Sequence, residues 1–300
     1  MTVSAWRVFE VEVARLQRLS PSFVRVTFTG KDLDCFADNG YDQRIKLVLP
    51  LPGSGLAYFP CTEDWYAQWR GLPDERRNPV RTYTVRAVRS ASREVDVDLV
   101  LHTNPGPAGL WAAEAQVGAV AALIGPEAGY PGDHGGRDFH PHHRSGPLLI
   151  AGDETAAPAI ASIVESLEPS AQGVALIEVP EAEDAVRLAD QTRAPAGVRV
   201  SWLARDGAAH GSRLIPAVEA AARQVLGTAA ASPSDLPDVD VDSDLLWEVP
   251  ESGLAGAAYA WLAGEAGVIK ALRRHLVSER GLDRGSVAFM GYWRLGRPEL

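Results

Sequence analysis

The first half of the chain alternates apolar and polar residues with a period of two. The alternation is clearest at residues 6–18 (WRVFEVEVARLQR) and 23–30 (FVRVTFTG), with Ser20-Pro21 between them. Alternation rich in β-branched residues and bounded by Pro or Gly predicts half-buried antiparallel strands. An Ala-rich segment at 104–116 predicts one short helix. Further strands are predicted at 45–50, 80–89, 94–102 and 119–126. Residues 91–93 are predicted to be the turn of a hairpin that joins strands 80–89 and 94–102.

From residue 147 onwards the pattern changes to short apolar runs that alternate with amphipathic segments. In those segments the apolar residues recur every three or four positions, as Ile160, Ile163, Val164 and Leu167 do. Apolar strands alternating with such helices predict a parallel sheet covered on both faces. The strands are predicted at 147–154, 174–179, 198–204, 257–265 and 286–293, and the helices at 155–168, 182–190, 212–226 and 268–281.

These two patterns predict two domains. Residues 1–140 are predicted to form an antiparallel β-barrel, and residues 146–300 an α/β domain with a parallel nucleotide-binding sheet. The Gly-, Pro- and His-rich stretch at 131–146 marks the boundary. The Pro-, Ser- and Asp-rich segment at 227–243 is predicted to be a mobile surface insertion.

Composition narrows the function classes. The 300 residues carry a formal net charge of -10, which disfavours a general binder of nucleic acid or of anionic membranes. Two cysteines exclude a disulfide scaffold and a Cys-rich metal site. No apolar run approaches the ~20 residues of a membrane-spanning helix, and the N-terminus shows no signal pattern, so we expect a cytoplasmic protein.

Residues 81–86 (RTYTVR) form the most informative segment of the first half. On a strand, Arg81, Tyr83 and Val85 share one face, and Thr82 and Thr84 the other, unless a bulge intervenes. A flavin needs an aromatic wall, a hydroxyl or amide near its ring, and a cation for its diphosphate. The strand offers all three, although periodicity alone favours an ordinary exposed strand with surface arginines.

The motif R-x-Y-T resembles the FAD signature of the ferredoxin-reductase-like flavoproteins. Four further segments occur in the order expected for the siderophore-interacting protein family, which comprises FAD-dependent ferric-siderophore reductases. The resemblance runs from residue 6 to the end of the chain. Its pieces are VLHTNPGPAGLWAA (100–113), LLIAGDETAAPAI (148–160), AYAWLAGEAGVIKALRRHL (258–276) and GYWRLGRPE (291–299).

The resemblance implies non-covalent FAD bound by the barrel. The helix after residues 104–109 would offer its N-terminal amides to the diphosphate, and Trp111 is expected to pack on that helix. For Asp153 and Thr155, helix capping is an open alternative to ligand contact. The implied FAD residues are Arg81, Thr82, Tyr83, Thr84, His102, Thr103, Gly106, Ala108, Gly109, Asp153, Thr155, Ala156, Tyr292 and Trp293.

Two other sets of residues follow from the same resemblance. Gly264 and Glu265, at a strand-to-helix turn, are expected to bind the nicotinamide. In this acidic chain, Arg44, Lys46, Arg294 and Arg297 form a basic set, of which Arg44, Lys46 and Arg294 are expected to bind an anionic ferric chelate; scattered surface charge is the alternative. The histidines at 134, 140, 142 and 143 are interpreted as a solvated loop, and no metal site is predicted.

The implied activity is electron transfer from NAD(P)H through FAD to siderophore-bound Fe(III). Acidic residues at 178, 181, 183 and 184 follow the second parallel strand, which favours NADH over NADPH through repulsion of the 2′-phosphate. Whether a ferredoxin replaces the nicotinamide stays open. The alternatives are a generic NAD(P)H:flavin or quinone reductase and a non-enzymatic siderophore-binding protein.

Overall fold

The computed structural model describes residues 3–102, 106–140, 146–225, 239–241, 244–250 and 258–297. It divides into two compact units, Met1–Arg137 and Asp138–Leu300. Three predictions fall wholly or partly outside the described residues. They concern Thr103, residues 141–145 of the boundary stretch at 131–146, and the insertion at 227–243 apart from residues 239–241.

The first unit is a closed antiparallel barrel, as the alternating pattern predicts. Its strands follow the order β1-β2-β5-β4-β3-β6, and β1 closes the barrel by pairing with β6 from Trp6 opposite Pro126 to Glu12 opposite Val120. Side chains that alternate along the strands, such as Phe9, Val11 and Val13, fill the interior. The strands are β1 (Trp6–Ser20), β2 (Phe23–Thr29), β3 (Arg44–Val48), β4 (Val80–Arg89), β5 (Glu94–Val100) and β6 (Val120–Pro126).

The connections of the barrel are partly as predicted. β4 and β5 form the predicted hairpin, which turns through Ser90–Ser92 and then Arg93 in a left-handed conformation with φ of 53°. The Ala-rich segment forms α2 (Pro107–Glu114), where Trp111 stacks on Phe28 with ring centroids 6.1 Å apart. The prediction that Trp111 is a packing residue is therefore confirmed. A six-residue helix, α1 (Trp65–Arg70), lies between β3 and β4, where no helix was predicted.

The second unit is a six-stranded sheet in the order β10-β12-β11-β7-β8-β9. Neighbouring strands from β12 to β9 are parallel, whereas the short edge strand β10 pairs antiparallel with β12, so the sheet is mixed and not purely parallel. The strands are β7 (Leu148–Gly152), β8 (Gly173–Val179), β9 (Val198–Ala204), β10 (Trp247–Glu248), β11 (Tyr259–Glu265) and β12 (Val287–Trp293).

Helices cover both faces of this sheet. Leu149 and Ala151 of β7 pack in one apolar cluster with residues of α5 and α6. Leu148 and Ile150 point to the opposite face because strand side chains alternate, and they are buried as well. The helices are α3 (Ala157–Glu165), α4 (Ala182–Gln191), α5 (Leu214–Val225) and α6 (Ala266–Arg273), the last extended by a π-helical turn over Arg274–Glu279.

The order of the strands fixes where the nucleotide-binding edge lies. The chain starts in the middle of the sheet at β7, adds β8 and β9 on one side, and later adds β11 and β12 on the other. The strand order therefore reverses between β7 and β11. In open α/β sheets, ligands bind beyond the carboxyl ends of the strands at such a switch point.

Candidate functional site

The motif strand β4 presents its residues to two different faces. Tyr83 is opposite Ile45 of β3 and Arg81 is opposite Leu47; both partners are buried in the barrel core, against which Tyr83 packs. Thr82 and Thr84 lie on the other face. The register shift occurs only between Val85 and Ala87, so the alternation predicted for residues 81–85 holds.

Arg81 and the start of α2 supply donors for an anion. The half-buried Arg81 donates from Nη1 to the carbonyl of Val80 at 2.9 Å, which holds the guanidinium close to its strand. In α2, Pro107 has no N–H, and the amides of Ala108 and Gly109 have no acceptor inside the helix. Gly106 is exposed, and a Cβ added to it would meet nothing within 4 Å. Among the described residues, nothing therefore fills the space beside Gly106 at the N-terminus of α2.

The register of the barrel brings these donors toward one end of β4. Because β4 and β5 are antiparallel and pair from Val85 opposite Val97 to Arg89 opposite Glu94, residues 81–84 lie toward the same end of the barrel as the end of β5. That end leads through the exposed His102 toward α2. A guanidinium, two helix amides and a half-buried phenol ring match the diphosphate and planar ring of FAD, whereas the side chains of Thr82 and Thr84 lie on the opposite face of β4. The described residues of the barrel therefore fit this cofactor.

The predicted basic set divides between the two units. In β3, Lys46 donates from Nζ to Thr82 Oγ1 at 2.7 Å, and Arg44 donates from Nε to the carbonyl of Gly136 at 3.4 Å. Arg294, in the second unit, forms an ion pair with Glu265 at 3.0 Å. Its guanidinium is thus already bound to a carboxylate of the chain itself.

Asp153 is the centre of the second predicted site, at the switch point between β7 and β11. Its Oδ1 accepts from Thr155 N at 2.9 Å and from Thr155 Oγ1 at 2.6 Å. Its Oδ2 accepts from Glu265 N at 2.7 Å and from the Trp293 indole at 2.8 Å. One buried carboxylate therefore ties together the turns that follow β7 and β11 and the end of β12.

Burial sets the electrostatics of this carboxylate. Burial first, and the neighbouring Glu154 second, raise the pKa of Asp153 to about 7, while the hydrogen bonds from Thr155, Trp293 and Glu265 act in the opposite direction. Gly264 leaves the room that the carboxylate occupies, because a Cβ on Gly264 would lie 2.7 Å from Asp153 Oδ2. The backbone of Gly264, with φ of 149°, also suits glycine.

The other predicted residues of this edge are mostly engaged in structure. Ala156 is fully buried, and its amide donates to the carbonyl of Asp153 at 3.0 Å. The N-cap of α3 is Ala156, whose side chain makes no capping hydrogen bond, so the alternative in which Asp153 or Thr155 caps this helix is wrong. Asp153 is instead buried and joins the surrounding turns. Glu265 caps α6 through Val268 N at 2.9 Å. Tyr292 stacks on Trp247 at 5.6 Å, and Trp293 packs edge-on against His210 at 4.8 Å.

Sequence reasoning missed a buried ion cluster beside Asp153. Arg205 donates to both carboxylate oxygens of Glu154, at 2.6 and 2.8 Å, and lies 3.5 Å from Glu178. Glu178 also accepts from the amides of Gly211, Arg213 and Leu214, at the start of α5. The sequence feature that could have revealed this cluster is that Glu178 and Arg205 lie at the ends of two strands that are neighbours in the sheet.

This cluster corrects the interpretation of the acidic residues at the end of β8 and directly after it. Four carboxylates were expected to face a bound nucleotide. Glu178 is instead fully buried, and Asp184 is fully buried in a reciprocal cap with Glu181 at the start of α4. Only Glu181 and Glu183 are exposed. The negative charge that could meet a 2′-phosphate is therefore about half of what the sequence indicated.

The described part of the histidine-rich loop is hydrogen-bonded to the first unit through His134. His134 Nε2 lies 2.8 Å from the carbonyl of Glu127, and its own carbonyl accepts from the Trp6 indole. His142 and His143 lie outside the described residues. In the described part of the chain, no group of three or more His, Cys, Asp or Glu residues could hold a metal ion. The same part contains no helix with the length and apolarity needed to cross a membrane.

Comparison with known proteins assigns the family. Residues 12–130 match the siderophore-interacting FAD-binding domain, and residues 147–296 match the siderophore-interacting protein. The chain belongs to the siderophore-interacting protein family. The predicted resemblance, the barrel-plus-α/β fold and the oxidoreductase class are thereby confirmed, and FAD is the cofactor of the matched barrel domain.

Three curated relatives illustrate the range of this siderophore-interacting family. An uncharacterized protein of Mycobacterium tuberculosis is 37% identical over 96% of this chain and 90% of its own length. Ferric vibriobactin reductase ViuB of Vibrio cholerae is 30% identical with the same coverage. The NADPH-dependent ferric-chelate reductase of Escherichia coli is 27% identical over 96% of this chain and 93% of its own length.

Solved structures agree on the fold. A siderophore utilization protein from T. fusca aligns with a TM-score of 0.70 and 29% identity, covering 99% of this chain and 96% of that chain. The ferredoxin reductase of carbazole 1,9a-dioxygenase aligns with a TM-score of 0.59 and 16% identity, covering 96% of this chain and 70% of that chain. At that identity the second likeness shows the ferredoxin-reductase-like fold alone.

Proposed function

We propose that this siderophore-interacting protein is a cytoplasmic, FAD-dependent ferric-siderophore reductase. The observation that carries the proposal is that a barrel with donors suited to FAD is followed, in one chain, by a sheet with a switch point, where open α/β sheets bind nucleotides. The relatives from Vibrio cholerae and Escherichia coli, which are named as ferric reductases, support it. A carrier without turnover would need neither feature.

The chemistry divides between the cofactor and the chain. Bound FAD would supply the conversion of a two-electron hydride into single electrons, so that one NAD(P)H reduces two Fe(III) to two Fe(II) and releases one proton. Arg81 and the amides of Ala108 and Gly109 hold the diphosphate. No protein acid or base is required. Hard oxygen ligands favour Fe(III), so reduction loosens the chelate and releases the iron.

The second unit takes the nicotinamide at the turn containing Gly264 and Glu265. Asp153 and Thr155 act on this turn indirectly, since they fix the Glu265 amide and the Trp293 indole. In this proposal residues 1–140 form the FAD domain and residues 146–300 the NAD(P)H domain.

The deciding experiment measures NAD(P)H oxidation with and without a ferric siderophore, with Fe(II) trapped by a chromogenic chelator. We expect purified protein to be yellow, and oxidation to rise with the chelate at two Fe(II) per NAD(P)H. Equal oxidation with free flavin or quinone and none with the chelate would indicate the generic reductase. Chelate binding without oxidation, even with reduced ferredoxin as donor, would indicate a carrier.

Lys46→Glu should separate substrate binding from flavin reduction. Lys46 is held on the outer face of the barrel by Thr82, where its ammonium group can meet an anionic chelate. Charge reversal at an exposed pair changes affinity modestly, so we expect the KM for an anionic ferric chelate to rise roughly five- to tenfold. Steady-state kinetics with the chelate and stopped-flow reduction by NAD(P)H measure the two half-reactions.

The matched control for this variant is Lys31→Glu, an exposed cation of the same unit. It should leave both half-reactions unchanged. If Lys46→Glu slows flavin reduction as much as it raises the KM, Lys46 acts on the flavin or the fold and is removed from the substrate site.

The chain should prefer NADH over NADPH, but only modestly. Glu181 and Glu183 alone remain exposed after β8, and Glu183 is paired with Arg187. Their repulsion of a 2′-phosphate is screened by water and salt, so we expect a ratio of kcat/KM of roughly three to ten in favour of NADH. Glu183→Gln should raise kcat/KM for NADPH and leave that for NADH unchanged, with both nucleotides measured at one ionic strength. A clear advantage of NADPH in the unmodified protein would reject the preference.

A further inference from the structure

The connection between β3 and β4 carries an aromatic layer that is fixed to the barrel. Phe59, Trp65 and Trp69 pack over Val48 and Val80 on the outer face of the barrel. The Trp69 indole donates to the carbonyl of Asn78 at 2.8 Å. Asn78, itself buried, donates to the carbonyls of Leu49 and Gly55 at 2.8 and 2.9 Å. These bonds hold the connection as a rigid support.

Two exposed rings on this support lie against arginines. Tyr66 is 54% exposed, stacks on Trp69 at 5.8 Å, and has the Arg70 guanidinium 5.8 Å from its ring centroid. Tyr58 is 43% exposed and has the Arg76 guanidinium 5.0 Å from its centroid. We call Tyr58, Tyr66, Arg70 and Arg76 the aromatic–arginine face.

The arginines of this face are available to a ligand. Neither Arg70 nor Arg76 forms an ion pair with the residues the structure describes, whereas the neighbouring Arg77 is bound to Asp74 at 2.9 Å. The connection also contains the exposed carboxylates Glu63, Asp64 and Glu75. Its net charge therefore does not attract anions in general, and any selectivity must come from a ligand that contacts ring and guanidinium together.

The strand register places the aromatic layer beside Lys46, one of the predicted substrate residues. Alternate residues of β3 share a face, so Lys46 lies on the same outer face as Val48, which the aromatic layer covers. Two residues along a strand are separated by about 7 Å. A chelate held by Lys46 is therefore within reach of the edge of the aromatic layer.

We propose that the aromatic–arginine face is a subsite for a catecholate arm of a ferric chelate. A catecholate is a flat aromatic ring with negatively charged oxygens, so it can stack on tyrosine and contact a guanidinium at once. A hydroxamate arm has no ring and gains neither contact. The inference rests on the proposed reductase function and adds the class of substrate to it.

The test uses gallium(III) chelates, which bind like the iron complexes but are not reduced, so binding is measured without turnover. Calorimetry compares a Ga(III) tris-catecholate with a Ga(III) tris-hydroxamate. Stacking and cation–π contacts at exposed sites predict that Tyr66→Ala and Arg70→Ala each weaken catecholate binding roughly three- to tenfold. Both variants should leave hydroxamate binding within about twofold, because no ring is lost there.

Tyr66→Phe and Arg199→Ala serve as controls. Tyr66→Phe keeps the ring and should restore catecholate binding, whereas a folding defect would affect both chelates. Arg199 is an exposed arginine of the second unit and should have no effect. Equal loss for the two chelates, or no loss for either, would overturn the subsite. Selective binding without Fe(III) reduction would instead keep the subsite and reject the reductase.

Discussion

Replacing Arg81 with alanine should remove most of the FAD from the purified protein. Arg81 is the cation of the motif strand, and its guanidinium is held near the barrel end that leads to α2. A hydrogen bond to a charged group contributes about 1.5–3 kcal/mol. Losing it corresponds to a rise in the Kd for FAD of roughly 10- to 100-fold. The ratio of flavin absorbance to protein absorbance after exhaustive dialysis measures the loss.

Two variants make this result specific to the guanidinium. Arg81→Lys keeps a charge but not the bidentate geometry, so it should retain an intermediate share of flavin. Lys31→Ala removes an exposed cation elsewhere in the same unit and should retain all of it. Full occupancy in Arg81→Ala would remove Arg81 from the FAD site, whereas loss of the folded barrel would appear as a changed circular dichroism spectrum.

The elements that sequence predicted best are those with an uninterrupted period. β4 and β9 have the bounds that were predicted for them. Each strand is a continuous run with a clear hydrophobic pattern, and each run is bounded by residues that disfavour strands. The short helix α1 was missed because its six residues hold three aromatic rings and show no helical period. β10 was missed because two residues carry no pattern, and its pairing with β12 depends on a partner about 40 residues away.

The candidate site shows the same limit at the level of side chains. The motif strand and the start of α2 could be placed because their roles follow from local sequence. The contact between Asp153 and Trp293 joins residues 140 positions apart, and it exists only because β7, β11 and β12 are neighbours in the sheet. The prediction that the acidic residues at the end of β8 face a nucleotide was wrong for a related reason. The sequence does not show that the side chain of Glu178 is buried against Arg205 and the start of α5.

Removing the Asp153 carboxylate should destabilise the second unit and release Trp293. In Asp153→Ala the buried amide of Glu265 and the partly buried donors at Thr155 N and the Trp293 indole all lose their acceptor. Each unsatisfied buried donor costs about 1–3 kcal/mol, and water entering the gap offsets part of that, so we expect a loss of about 2–4 kcal/mol in the free energy of unfolding. Urea unfolding measures the loss, and a red shift of tryptophan emission reports the released indole.

Asp153 should also make stability depend on pH. Its pKa is raised from 3.8 to about 7 in the folded chain, so the folded state binds a proton that the unfolded state has released. Its contribution to stability is therefore complete below about pH 4 and is lost as pH rises through 7. The Thr155 hydroxyl is the one partner of Asp153 that can accept a hydrogen bond as well as donate one. The proton is therefore expected on Oδ1, with the bonds of Oδ2 to Glu265 and Trp293 kept.

Asp153→Asn resembles this neutral form and tests the assignment. Its amide oxygen can accept from Glu265 and Trp293 while its NH₂ group faces Thr155, so Trp293 should stay in place and the loss of stability should be smaller than in the alanine variant. The difference in unfolding free energy between pH 5 and pH 8 should shrink in Asp153→Asn. It should persist in Asp190→Asn, which changes an exposed carboxylate of α4. An unchanged pH dependence in Asp153→Asn would show that another group titrates, and unshifted tryptophan emission in Asp153→Ala would show that Trp293 does not depend on this carboxylate.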